Sequence, residues 1–419
     1  MSAPTTSGHR AAPRGALPDG PALPAVAQGA WWHRDPLGMT RALQARWGDV
    51  FTLRMPTEGA VVVVCDPACV AELACADPVR AHGGEGRQRL LGLVSPRSIL
   101  GGDEAPHDAA RDRVAHVFTA RAIERHRDAI AEIAERHVGL WPRNRPFQLL
   151  PRMRALVDEI FARLIVGVRS PSRALALAAG VQRMLWTPGN PPLSVPGPGD
   201  GLLGRLVDAG FARRAAPMRR LLAGELERGD APPASILAAM LAAGLDVDAA
   251  LDETLPLLMA GQEPPAAALT WLLDRLSRDA GLTERDDVYN ETLRLRPPVA
   301  AIMRRLVAPT RIAGADLPAG TTTMLPIPLL LRDPRVWDDP EAFRPERFAA
   351  GAPEAFVPFG GGERRCIGEH LARLEMDIVV PELLRRRRVR ALGPAPERMV
   401  VRGTVLVPHR GGLVIARPR

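Results

Sequence analysis

The sequence predicts a single, mainly α-helical domain with a small β portion, and three observations carry that prediction. Apolar residues recur at spacings of three and four over long stretches, the period of a helix with one buried face. Strand-like runs are few and gather near the two ends of the chain. No internal repeat and no linker divides the 419 residues, a length that suits one large domain.

Taken in order, residues 1–24 are rich in Ala, Pro, Gly and Ser and lack the apolar core of a signal peptide. They are expected to form a disordered leader, with the folded domain spanning 25–419. Val50–Leu53 and Ala60–Val64 flank a Thr-Glu-Gly turn and predict a hairpin. A short helix is predicted over Pro67–Ala76, followed by helix over Ala105–Leu140, Pro151–Val166 and Ala174–Trp186. Thr187–Gly201 is a breaker-rich loop with the character of a lid, and helix resumes from about Leu202 to Arg228. The longest helical candidate is Asp246–Asp274. Asp246 or Asp248 can cap its start, and Pro264 and Pro265 interrupt its middle. Ile312–Leu330 has strand and turn character around Pro318-Ala-Gly320. A helical pattern follows from Gly368 to Leu384, and Met399–Ile415 predicts a hairpin.

Hydrophobic residues make up 46% and charged residues 24%, as in soluble globular proteins. All 55 basic residues are arginine, giving a formal net charge of +8 that does not titrate away. These arginines are interspersed with Asp and Glu, which argues against nucleic-acid binding. Cys65, Cys69 and Cys75 lie close together and Cys366 stands far away. No second Cys/His pair follows at zinc-finger spacing, so Cys65 and Cys69 are expected to pack as small apolar residues. No disulfide framework is visible and no apolar run reaches the length of a membrane span. A soluble, cytoplasmic protein is the expectation.

The chemistry concentrates in Phe359-Gly-Gly-Gly-Glu-Arg-Arg-Cys-Ile-Gly368. A glycine-rich loop delivers Cys366 to a helix N-terminus, where unpaired N–H groups and the helix dipole favour a thiolate. A thiolate is what a soft axial ligand to haem iron must be. Glycines let the backbone lie close under a flat macrocycle. Phe359 can shield the sulfur, and Arg364 can pair with a propionate.

These residues match the haem-binding loop of the cytochrome P450 family, Phe-Gly-x-Gly-x-Arg-x-Cys-x-Gly, at every defined position. Further segments resemble that family along nearly the whole chain. Glu291-Thr-Leu-Arg294 precedes Phe343-Arg-Pro-Glu-Arg-Phe348, and the resemblance implies a buried triad of Glu291, Arg294 and Arg347 that braces the loop. Pro106-His-Asp-Ala-Ala-Arg111 resembles the family's His-x-x-x-Arg, which assigns haem propionates to His107 and Arg111, with Arg304 as a further contact beside Arg305. The fold implied is the helical prism with small sheets, and the cofactor is haem b (iron protoporphyrin IX). Phe359, Gly360, Arg364, Cys366 and Gly368 are the loop's cofactor-binding residues, and Cys366 is the metal ligand. The resemblance further implies a haem-thiolate monooxygenase that hydroxylates or epoxidises a mostly apolar small molecule, such as a natural-product intermediate. A ferredoxin or flavodoxin with its reductase is the implied electron donor, docking on a basic face of Arg364, Arg365, Arg373 and Arg385–Arg388. Substrate is expected to meet the segments Arg87–Gly102, the breaker-rich loop Thr187–Gly201, Met259–Glu263, Val299–Met303 and Arg402–Val407.

The oxygen-activating segment departs from the family. It reads Ala260-Gly261-Gln262-Glu263-Pro264-Pro265, so the acid is kept as Glu263 and the usual Thr is replaced by Pro264. That Thr hydroxyl normally helps to position water and relay protons, and proline has none. Proton delivery through Glu263, Gln262, water or a substrate hydroxyl is one reading. A non-hydroxylating oxidation (coupling, cyclisation or desaturation) is a second, and a non-catalytic helical binding protein is a third.

Overall fold

The computed structural model describes residues 17–56, 58–75, 80–86, 98–185, 216–228, 235–279, 281–282, 286–393, 395–403 and 405–419, with backbone only for 182–185 and 286. The lid-like loop Thr187–Gly201 lies outside them, as do residues 1–16 and 87–97.

Among the described residues helices dominate, with twelve short strands: β1 Val50–Met55, β2 Gly59–Val64, β3 Ala81–His82, β4 Pro146–Gln148, β5 Ala301–Leu306, β6 Thr310–Ile312, β7 Ala315–Leu317, β8 Thr322–Pro326, β9 Arg387–Ala391, β10 Met399–Arg402, β11 Val405–Pro408 and β12 Leu413–Pro418. The predicted N-terminal hairpin is β1–β2, with Val50 opposite Val64. It joins a five-stranded sheet in the order β1-β2-β8-β5-β3. At the C-terminus the expected hairpin is only β10–β11. β12 leaves it to pair with β4 and β9, because Gly411 and Gly412, both at positive φ, turn the chain away.

Residues 18–23, placed by sequence in the leader, run along the start of β1. Thr52 donates its N–H to the Asp19 carbonyl at 3.1 Å, and Gln28 donates to the Leu23 carbonyl at 2.7 Å. The helix expected over Ala105–Leu140 is three helices: Glu104–Ala115, Ala120–Glu124 and Arg127–Gly139. Thr119 caps the second through its hydroxyl, which accepts the Ala122 N–H at 3.3 Å. The apolar period runs across the breaks because Val114, Ile123, Ile130 and Ile133 all enter one core. Leu149–Phe161 continues through a π turn, Ala162–Val166, and stops at Gly167 with φ of 91°.

The long helix is Val247–Leu276, capped by Asp246, whose carboxylate accepts the Ala249 N–H at 2.8 Å. It stays helical through Pro256, Pro264 and Pro265, where the sequence suggested an interruption. Burial overrides the local cost of about 3 kcal/mol per proline, since almost every side chain of this helix is packed against neighbours. Each proline still removes an N–H, so the carbonyls of Asp252, Ala260 and Gly261 lose their helical donors. Gly261 admits a close neighbour: a Cβ there would lie 1.9 Å from the Phe161 ring.

The triad forms as the resemblance implied. Glu291 and Arg294, on the Asp286–Leu295 helix, are both fully buried. Arg294 donates from Nε to Glu291 Oε2 at 2.7 Å and from its second terminal nitrogen to Oε1 at 2.8 Å. It also donates to the carbonyls of Leu331, Pro340 and Ala342 at 2.8, 2.8 and 3.0 Å. Arg347 donates to Glu291 Oε1 at 3.2 Å and Arg344 donates its backbone N–H to the same oxygen at 2.8 Å. The Arg294 guanidinium also lies 5.1 Å from the Trp337 ring, which packs with Phe348 and Phe356.

A buried carboxyl without hydrogen bonds sits in the helix that follows the cysteine loop. Glu375, on Glu369–Arg386, is fully buried and neither oxygen has a partner, so burial pushes its carboxyl up to about 8.

Two predictions follow from these buried charges. Arg294→Lys keeps the charge but abandons the forked geometry, and urea denaturation of the variant should show a loss of about 3 kcal/mol or more; an unchanged midpoint would refute the brace. Glu375 holds its proton to a higher pH folded than the 4.5 it has free, so the folded state binds more protons across that window. Its contribution is complete below about pH 4.5 and is lost as pH rises through about 8. Glu375→Gln should therefore flatten the pH dependence of the melting temperature there, and stabilise the protein at pH 7 by roughly 2 kcal/mol.

Candidate functional site

The cysteine loop is held from behind. A 3-10 turn, Gly362–Arg364, leads to Cys366, and the helix Glu369–Arg386 starts three residues after it with Gly368 as N-cap. Gly360 and Gly362 adopt φ of 70° and 58°, the left-handed region that disfavours other residues. The Cys366 N–H donates to the Phe359 carbonyl at 2.8 Å, closing the loop on itself. The cysteine is exposed, and a Cβ on Gly368 would stand 3.9 Å from its sulfur. The Arg373 guanidinium stacks over Phe359 at 5.2 Å. Cys65 is buried as predicted, and burial pushes its thiol well up. Cys75, in contrast, lies against the cysteine loop: a Cβ on Gly361 would fall 2.2 Å from its sulfur.

The predicted propionate contacts converge. Arg364 reaches the Asp103 carboxylate and the carbonyls of Gly102 and Ile99. Asp103 also accepts the N–H groups of Gly84 and Glu85, each at 2.7 Å. Arg304 is buried on β5 and donates to the carbonyls of Ala74 at 2.8 Å and Met303 at 3.0 Å. A Cβ on Gly83 would touch both Arg364 and Arg304, at 3.1 and 3.5 Å. Arg111 donates to the Arg365 carbonyl at 3.0 Å. His107 is 2% exposed; burial and then the Arg364 charge hold its imidazole below the usual range, so it is neutral at pH 7.

One connection was invisible in the sequence. Glu253, buried on the long helix, accepts the Ile99 N–H at 3.0 Å and an Arg113 bond at 2.7 Å. The segment 98–103 is thus tied to the long helix on one side and to Arg364 on the other. Only the spacing of an acid within an otherwise apolar helix face could have hinted at it.

The oxygen-side residues do not all share one face. Ala260 is exposed and Pro264 is half-buried, although the turns beside them are buried. Gln262 and Glu263 are buried. Glu263 accepts two bonds from Arg154 on Leu149–Phe161, at 3.0 and 2.6 Å. Asp158, one turn beyond Arg154, has its carboxyl pushed up to about 7 by burial and by the Glu263 charge, with Arg154 opposing.

The expected basic docking face is reduced. Arg364 points inward and Arg387 is buried, donating to the Val138 carbonyl at 3.1 Å. Arg365 pairs with Glu369, and Arg385 and Arg386 with Glu382. The arginines in this run are held by neighbouring acids and carbonyls because a helix places i and i+4 partners together.

The residues present fit a thiolate-ligated haem b. An exposed cysteine stands at a helix start in a loop of left-handed glycines, and Ala260 is open within a buried helix. Arg304 and Arg364 meet at Gly83, Arg364 pairs with Asp103, and Arg111 reaches the loop at the Arg365 carbonyl, a set of cations that suits the two carboxylates of the macrocycle.

Comparisons with known proteins agree with this geometry. The family model described as Cytochrome P450 matches residues 280–415. The chain is 31% identical to cytochrome P450 135B1 of Mycobacterium tuberculosis, over 96% of this chain and 91% of that protein. It is also 31% identical to cytochrome P450 135A1 of the same organism, over 94% of both. The solved structure of a retinoic acid-bound cyanobacterial CYP120A1 superposes with a TM-score of 0.79 at 23% identity, covering 97% of this chain and all of that one. The haem domain of cytochrome P450DA does so with a TM-score of 0.76 at 20% identity, covering 96% and 98%. Among the described residues no single helix is long and apolar enough to cross a membrane. The chain belongs to the cytochrome P450 family, whose members are haem b oxidoreductases of the monooxygenase type.

Proposed function

We propose that the protein hydroxylates or epoxidises a mostly apolar small molecule, a natural-product intermediate, with electrons from a ferredoxin or flavodoxin and its reductase. The observation that carries this reading is the aliphatic seam where Val299 bridges to Val405. Both come from segments expected to meet substrate, whose side chains are largely aliphatic, so a ligand there meets hydrocarbon with few polar anchors. Haem b, when bound, supplies dioxygen activation and one-electron chemistry.

The chain's own residues do the rest. Cys366 provides the sulfur ligand, and its N–H bond to Phe359 keeps the loop from turning. His107, Arg111, Arg304 and Arg364 would hold the propionates, with Arg364 sharing its donors between Asp103 and the cofactor. An acidic electron donor would dock on the exposed parts of Arg365, Arg385 and Arg388.

On the oxygen side, Glu263 is held by Arg154 and turned towards Asp158. Asp158 carries a proton below about pH 7 and loses it above. Glu263, Arg154 and Asp158 make a proton reservoir behind the long helix, with Gln262 beside it. The carbonyls of Ala260 and Gly261, freed by the two prolines, can hold water on the exposed face of that helix. Pro264 itself favours a second reading, a coupling, cyclisation or desaturation that needs no hydroxyl relay at this position.

Cys366→Ser should abolish the thiolate-type Soret band of the reduced carbon monoxide complex; a variant that kept the band would end the assignment of the ligand. Pro264→Thr restores a hydroxyl, and under the first reading the fraction of electrons recovered in oxygenated product should rise on the order of tenfold. Under the second reading that fraction stays level. Turnover should fall as pH rises through about 7, and Asp158→Asn should remove that limb of the profile.

A further inference from the structure

A cavity of about 170 Å³ lies between the C-terminal half of the long helix, the Asp286–Leu295 helix and the segments around Arg332 and Glu341. Three guanidinium groups line it: Arg275, Arg296 and Arg332. Arg332 is 2% exposed. It donates to the Pro328 carbonyl at 3.2 Å and to the Leu295 carbonyl, while its buried Nε makes no hydrogen bond and lies 3.4 Å from Glu341 Oε2. Arg275 also has a buried Nε without a hydrogen bond; its other contacts are Asp279 at 3.5 Å and the Phe343 ring at 3.9 Å. Arg296 lies 5.2 Å from the Trp271 ring and donates to its neighbour, the Leu295 carbonyl, at 3.2 Å.

The acids of the lining are engaged from outside. Asp274 is held by Arg278 through two bonds of 2.9 Å, and Glu341 is bonded by Arg41. Five guanidinium groups therefore meet three carboxylates around one space. Burial lowers all three lining arginines, Arg332 to about 9. A buried guanidinium with a spare donor, as at Arg332, beside two half-buried ones is costly unless an anion joins them.

We propose that this cavity binds a small divalent oxyanion, a phosphate or a short dicarboxylate, through Arg275, Arg296 and Arg332. The volume takes such an ion and excludes a substrate of natural-product size. Guanidinium forks suit oxyanions because they present parallel N–H donors. The bound ion would join Arg296, just past the brace helix, to Arg332, next to the carbonyl of Leu331 that Arg294 holds. Binding thus stabilises the same elements that support the cysteine loop, and the site is separate from the apolar substrate seam.

The test uses the haem-loaded enzyme, titrated with inorganic phosphate or succinate against sodium chloride of equal ionic strength, with the melting temperature as readout. The expected result is a saturable rise of several degrees with one of the two anions and not with chloride. Arg296→Gln and, independently, Arg275→Gln should each weaken half-saturation at least tenfold while the carbon monoxide spectrum keeps its thiolate band. No rise beyond chloride would overturn the proposal. An equal rise in wild type and in both variants would also overturn it, marking a non-specific salt effect.

Discussion

The irregular chain ahead of the cysteine loop depends on one guanidinium group. Arg294 has five N–H donors and all five are used, two on Glu291 and three on the carbonyls of Leu331, Pro340 and Ala342. Those carbonyls belong to irregular chain that has no strand or helix to satisfy it. A loop buried in this way would carry unpaired acceptors, each costing about 1–3 kcal/mol, and a single planar cation removes three of them at once. Glu291 then neutralises the charge and collects Arg344 and Arg347, which fixes the approach to the loop. A lysine has three donors on a tetrahedral nitrogen and cannot span three carbonyls and a carboxylate in one plane.

The two sides of the haem site are built on different principles. The cysteine side is rigid backbone: positive-φ glycines, a closed hydrogen bond, and an arginine that ties the loop to the segment 98–103. The other side rests on one long helix that keeps its geometry through three prolines. Packing against Leu149–Phe161 holds it, and Gly261 lets the Phe161 ring come close. The price is carbonyls without helical donors at Ala260 and Gly261. The polar groups of this segment are those carbonyls and the buried Glu263, which Arg154 holds.

Local features of this architecture were legible in the sequence. The cysteine loop, Glu291 with Arg294, His107 with Arg111, and the Asp246 cap all depend on spacings of ten residues or fewer, and those spacings carry the geometry. Partner choice over long distances was not legible. Nothing near Glu253 names Ile99 and Arg113, and nothing near Glu263 names Arg154. The breaks at Thr119 and before Arg127 were hidden because the apolar period continues across them. Pro264 suggested an opened helix, since a local penalty is visible in sequence and the tertiary packing that outweighs it is not. The basic run at Arg385–Arg388 looked like a docking face, but helical spacing had already placed Glu382 beside two of its members.

The absence of lysine has a structural consequence. Arg294, Arg304, Arg332 and Arg387 are 0%, 1%, 2% and 6% exposed. A lysine at any of these positions would lower its cost by giving up its proton, as buried ammonium groups do. Arginine holds its charge, so each buried position must instead be matched by acceptors. Arg294 and Arg387 find carbonyls or a carboxylate, and Arg304 finds carbonyls beside the cysteine loop. At Arg332, as at Arg387, the buried Nε makes no hydrogen bond, and at Arg332 it faces a carboxylate that Arg41 already holds. A chain that places permanent cations in its interior must complete their coordination from somewhere, and where the protein's own acceptors run short an external anion is the remaining means.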